Sequence, residues 1–130
     1  MAKVLIVDDD FEIVALLIEI LKKEGHTVDS ACEPIEGMSK AREFKPDLIV
    51  LDYHMPGSTG AHLFESLRRN QASRLTPILF MSGEASPDQI LREISDTECS
   101  QFLAKPVHLD DFRRAVAELL ENGAKEDADG

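Results

Sequence analysis

Apolar residues follow two rhythms along this chain. Short apolar runs occur at Val4–Val7, around Thr27-Val28, at Leu48–Leu51, at Ile78–Met81 and at Phe102–Ala104. Four of these are almost wholly apolar, the pattern of strands covered by helices on both faces. Stretches of helical length separate them. A strand followed by a helix, five times over, predicts an α/β domain with a doubly wound parallel sheet.

Helix punctuation agrees with this reading. Asp10 suits the N-cap of the first helix and Gly25 its end. Pro34 fits the first turn of the second helix, and Pro46 follows its end. The third helix is predicted over residues 60–71, and the fourth opens at Ser86-Pro87. The fifth carries Leu109, Phe112, Val116, Leu119 and Leu120 on one face, and Asn122-Gly123 is expected to stop it. Residues 1–121 therefore form the expected domain. Residues 122–130 are expected to be a disordered acidic tail or the start of a linker.

Composition narrows the class. At 130 residues and 43% hydrophobic content, the chain can build one core without disulfides or a structural metal. Cys32 and Cys99 lack metal-ligand spacing and are expected to be reduced thiols in a cytoplasmic protein. No apolar run approaches the roughly 18–20 residues of a membrane span. The opening MAKVLIVDDD is cut by aspartates too early for a signal peptide. A formal charge of −11 repels nucleic acid phosphate, and one Tyr with no Trp offers no base-stacking platform.

In open α/β sheets, ligands bind beyond the carboxyl ends of the strands. Asp8, Asp9 and Asp10 follow the first run, and Asp52 with the loop Tyr53-His54-Met55-Pro56-Gly57 follows the third. Ser82-Gly83 follows the fourth, and Lys105-Pro106 the fifth. Taken singly, each has a bland reading: a helix cap with an acidic first turn, a turn, or a strand end. Their conjunction is what carries chemistry. Asp8, Asp9 and Asp52 brought together repel one another unless positive charge intervenes. Lys105 supplies one charge, and a hard cation such as Mg²⁺ with oxygen ligands supplies the rest. A hydroxyl and an ammonium then suit a phosphoryl group, and Asp52, alone on its strand, is free to act as nucleophile. The residues read as a Mg²⁺-dependent aspartyl-phosphate site.

The motifs VLIVDDD, LIVLDYHMPG, ILFMSG and FLAKP, spread over residues 3–121, resemble the receiver domain of the bacterial two-component response-regulator family. That resemblance implies a three-layer, flavodoxin-like, five-stranded parallel sheet of order 2-1-3-4-5 with five helices. It implies Asp52 as phosphoacceptor, Asp8 and Asp9 as the acidic pair for Mg²⁺ with Asp9 the more direct ligand, and the backbone carbonyl of His54 as a third ligand. It also implies Ser82 as the switch hydroxyl, Lys105 as the phosphate-contacting lysine, Phe102 as an aromatic switch, and a cis Lys105-Pro106 bond. His54 and Glu84 stand where the family tunes the lifetime of the phosphoryl group. The donor would be a histidine kinase or histidine phosphotransfer protein. The output would reach a downstream protein or effector domain that the sequence does not identify.

Some positions depart from the family pattern. Ser100 and Gln101 precede Phe102 where one DNA-binding class carries two acids, which argues against that class's dimer. Asp96-Thr97-Glu98-Cys99 lacks the usual Gly-Ala, and Ser58-Thr59-Gly60 replaces a common loop sequence outside the chemistry. On the first helix, Phe11, Val14, Ala15 and Ile18 form a stripe at i, i+3, i+4 and i+7. It reads either as a docking face for the phosphodonor or as additional core.

Rival readings fit less well. A flavin module needs a phosphate-cradling loop where this chain is acidic. A haloacid-dehalogenase-type phosphatase needs its nucleophile after the first strand and a cap domain. A P-loop enzyme needs a Gly-rich Lys-Ser/Thr motif that is missing. A degenerate receiver would lack one of the expected residue types, and all are present.

Overall fold

Five parallel strands form the central sheet: β1 (Lys3–Val7), β2 (Thr27–Ala31), β3 (Leu48–Asp52), β6 (Ile78–Ser82) and β7 (Ser100–Ala104). Their order is β2-β1-β3-β6-β7, which is 2-1-3-4-5 when the long strands alone are counted. The computed structural model describes residues 2–55, 58–71, 73–83 and 100–129, with backbone alone for 54–55, 58–61 and 122–129. Two further strands, β4 (His54–Met55) and β5 (Ser58–Thr59), form a short antiparallel pair after β3. The helices among the described residues are α1 (Phe11–Lys23), α2 (Pro34–Phe44), α3 (Gly60–Arg69) and α4 (Leu109–Asp129). The helix expected from Ser86-Pro87 lies outside the described residues, as do Glu84 and Cys99.

Alternation along each strand explains why the strands are apolar throughout. Leu5, Val7, Ile49, Leu51, Ile78 and Phe80 pack on one face with Ala41, Leu63, Phe64 and Leu67 of α2 and α3. Val4, Ile6, Leu48, Val50, Leu79 and Met81 pack on the other with α1 and α4, through Leu17, Leu21, Phe112, Val116 and Leu119. Gly37 lets α2 lie close to β1, since a Cβ there would sit 3.1 Å from both methyl carbons of Val7.

The ends of α1 and α2 follow the sequence signals. The Asp10 side chain accepts from the N–H groups of Glu12 and Ile13, and Gly25 takes a positive φ of 93° just past α1. Pro34 opens α2, and Lys45 ends it in the left-handed region before Pro46. β2 is an edge strand. Its open rim is occupied locally: Ser30 N–H donates to the Asp29 carboxylate, and Lys40 donates to Asp29 and to the Ser30 carbonyl.

The expected stop at Asn122-Gly123 is corrected: α4 runs on to Asp129. A single glycine costs a helix only about 1 kcal/mol, and Ala124, Lys125, Glu126 and Ala128 are good helix formers. The residues expected to form a disordered tail thus have helical backbone as far as Asp129.

Candidate functional site

Register brings the chemistry together. Val7 pairs with Leu51, so Asp8 lies beside Asp52. Asp52 pairs with Met81, and Ser82 pairs with Ala104, the residue before Lys105. The two-residue alternation carries Asp8, Asp52 and Lys105 onto the α1/α4 side, continuing the rows Val4-Ile6, Leu48-Val50 and Leu103. Backbone bonds fix the junctions: Asp8 N–H donates to the Ala31 carbonyl, Tyr53 N–H to Met81, and Lys105 N–H to Ser82 at 2.9 Å.

Carboxylate oxygens of Asp8, Asp9 and Asp52 lie within 4.8 Å of one another. Asp8 and Asp52 are buried, and Asp9 is exposed. Lys105 Nζ lies 3.1 Å from Asp8 Oδ2 and 3.6 Å from Asp52 Oδ2. Burial works against the lysine's charge. The carboxylates of Asp8 and Asp52, the hydrogen bond to Asp8 and the nearby Asp10 outweigh it, so its pKa is raised above the ordinary lysine value.

One cation among three carboxylates leaves a net negative, oxygen-lined cluster. That donor set fits a small, hard divalent ion that keeps part of its water shell. The three acids are not equivalent. Asp8 Oδ1 accepts the Asp10 N–H at 2.9 Å while Oδ2 accepts from Lys105, so both of its oxygens are engaged. Asp9 is the acid whose exposure leaves it open to a cation.

A family model for the response regulator receiver domain matches residues 4–117. The chain belongs to that family. The plant two-component response regulator ARR7 of Arabidopsis thaliana is 32% identical to this receiver over 95% of the chain. Sporulation initiation phosphotransferase F of Bacillus subtilis is 29% identical over 91% of the chain and 93% of its own length. The receiver spans 65% of ARR7 and of its relative ARR15, and 12% of the sensor histidine kinase AruS of Pseudomonas aeruginosa. Among solved structures, chemotaxis response regulator CheY4 of Vibrio cholerae superposes with a TM-score of 0.83 at 29% identity, covering 92% of this chain and 98% of that one. Relatives in plants as well as bacteria mean that membership does not carry the bacterial origin implied by the motifs.

The remaining expected positions of the receiver fall as follows. Ser82 is buried at the end of β6. Phe102 pairs with Phe80 across β6 and β7 and packs, partly buried, against the α2/α3 side of the core. The Lys105-Pro106 bond is cis. His54 begins β4, two residues past Asp52. Among the described residues, no helix is long and apolar enough to cross a membrane.

The α1 stripe divides between its two readings. Val14 is core, and Ile18 leans on the same cluster. Phe11 is 75% exposed, and Ala15 and Leu16 also face solvent. Val14→Ser should therefore lower stability by about 1–3 kcal/mol, through lost burial and a hydroxyl in the core. Phe11→Ser should stay within about 0.5 kcal/mol. Urea unfolding of the two variants checks this, and equal midpoints would return Val14 to the surface.

Proposed function

We propose that the receiver takes a phosphoryl group from a phosphohistidine onto Asp52, with Mg²⁺, and changes its surface for a downstream partner. The observation that carries this reading is Lys105 lying against both Asp8 and Asp52 within a cluster of three carboxylates. An Asp52 carboxylate oxygen attacks phosphorus. The new O–P bond forms as the P–N bond to the donor imidazole breaks, and that nitrogen keeps the electron pair and takes up a proton. Asp9, Asp8 and Asp52, with the backbone carbonyl of His54, would hold the Mg²⁺, which supplies charge neutralisation for the phosphoryl oxygens. Lys105 holds a positive charge beside the acceptor, and the Ser82 hydroxyl is assigned to a phosphoryl oxygen in the product. Ser82 and Phe102, on the adjacent strands β6 and β7, are assigned the switch to the surface.

The donor is a histidine kinase or a histidine phosphotransfer protein, docking beside the exposed part of α1 at Phe11 and Ala15. The recipient of the signal is a protein or effector domain, and the strong negative charge argues against direct nucleic acid binding. A cytoplasmic setting belongs to the same reading, supported by the free, exposed thiol of Cys32.

Intact mass after incubation with phosphoramidate tests the reading. One phosphoryl group should be gained with Mg²⁺ and none with a chelator, whereas no gain with Mg²⁺ would sink it. The ligand order has its own check. Asp9→Ala should weaken Mg²⁺ binding more than Asp8→Ala, because Asp8 is already held by Lys105 and the Asp10 N–H. Calorimetric titration giving Asp9→Ala the affinity of wild type would count against this order.

A further inference from the structure

The third acid of the run, Asp10, caps α1 and holds neither the cation nor the phosphoryl group in the function proposed above. Its oxygen is not in the Asp8, Asp9 and Asp52 group. Its side chain is turned to the helix: Oδ1 accepts the N–H of Glu12 at 3.0 Å and of Ile13 at 3.3 Å. Its backbone is extended, with φ −89° and ψ 101°, and its carbonyl accepts the first helical bond, from Val14. Its own N–H points back into the site and donates to Asp8 Oδ1 at 2.9 Å.

These bonds form a chain. The cap fixes the torsions of residue 10, and the torsions aim its N–H. That N–H occupies one oxygen of Asp8, which leaves Oδ2 to Lys105 and Asp9 to the cation. We infer that Asp10 is a positioning residue for the cation site, acting through its cap in addition to its charge. The inference rests on the function proposed above.

A cap and a charge can be separated at this position. Asn and Ser accept the same N–H bonds without carrying charge, whereas Ala and Gly do neither. The experiment compares Asp10→Asn, Asp10→Ser, Asp10→Ala and Asp10→Gly, reading Mn²⁺ affinity by electron paramagnetic resonance and phosphorylation rate with phosphoramidate and Mg²⁺. Asp10→Asn and Asp10→Ser should share one affinity, reduced modestly by the lost charge. Asp10→Ala should bind several-fold more weakly than these, and its phosphorylation rate at limiting Mg²⁺ should fall in parallel. Asp10→Gly, which tolerates the cap conformation, replaces Asp10→Ala if that variant does not fold. Equal affinities across all uncharged variants would overturn the inference and leave charge as the whole contribution. Wild type that binds Mn²⁺ but takes up no phosphoryl group would instead overturn the proposed function, while the affinity series would still decide the role of the cap.

Discussion

Asp52→Asn is expected to take up no phosphoryl group from phosphoramidate and Mg²⁺ under conditions that label the wild-type chain to completion. The amide keeps the size of the carboxylate and loses its anionic oxygen, so the attacking atom is removed and little else. The rate should fall by about a thousand-fold or more, below detection by intact mass. The variant should fold. Asp52 is one of three carboxylates held within 4.8 Å with Lys105 between two of them, so removing its charge relieves repulsion. Mg²⁺ affinity should fall as well, because a ligand charge is gone. Labelling of the Asn variant at the wild-type rate would move the acceptor elsewhere.

Lys105→Met should slow phosphorylation by about a hundred- to a thousand-fold, the usual range for losing one group that stabilises developing charge. The same change should tighten Mg²⁺ binding, since the cation no longer competes with an ammonium for Asp8 and Asp52. Opposite effects on rate and affinity are the signature that distinguishes this role from a general loss of structure. Without divalent cation the variant should lose about 1–3 kcal/mol of stability, because Asp8 and Asp52 stay buried without their partner. Added Mg²⁺ should narrow that gap by mass action. The pH dependence follows from the raised lysine pKa. A raised value in the folded state means the contribution is fully present below the ordinary lysine pKa, about 10.4. It is lost as pH rises through the higher folded value. The stability difference from wild type should therefore persist through neutral pH and close only on the alkaline side. Urea unfolding across that range measures it, and a gap that closed near neutrality would contradict the assignment.

Much of this was legible in the residues themselves. Apolar runs marked all five long strands because the sheet is covered on both faces, and β2 was the faintest because Asp29 and Ser30 lie on an open edge. The cluster of acids and lysine was legible because Asp8, Asp52 and Lys105 each stand at or next to a strand's carboxyl end, where the chain has little freedom. Strand order was another matter: spacing did not supply it, and it came from the family motifs. The stripe on α1 stayed open between docking face and core for a physical reason. Ile13, Val14, Leu17, Ile18, Ile20 and Leu21 wrap a wide arc, so helical periodicity alone does not locate its boundary. Val14 fell inside the arc and Phe11 outside. The β4–β5 pair was missed because two-residue strands carry no period. Asn-Gly predicts a terminator for α4, but the flanking residues favour continuing and the helix runs past it.

The contact between Lys105 and Asp8 joins residues 97 positions apart in sequence. Parallel strands have no local route to such a meeting: β1, β3 and β7 must each be seated before their ends share one space. No contiguous fragment short of that span contains both the lysine and its first acid. The site is thus a property of the completed fold, and it appears and disappears with the global transition rather than with any local one. Events that fray only a terminus leave it standing. A cut between β3 and β7 abolishes it unless the two pieces reassociate.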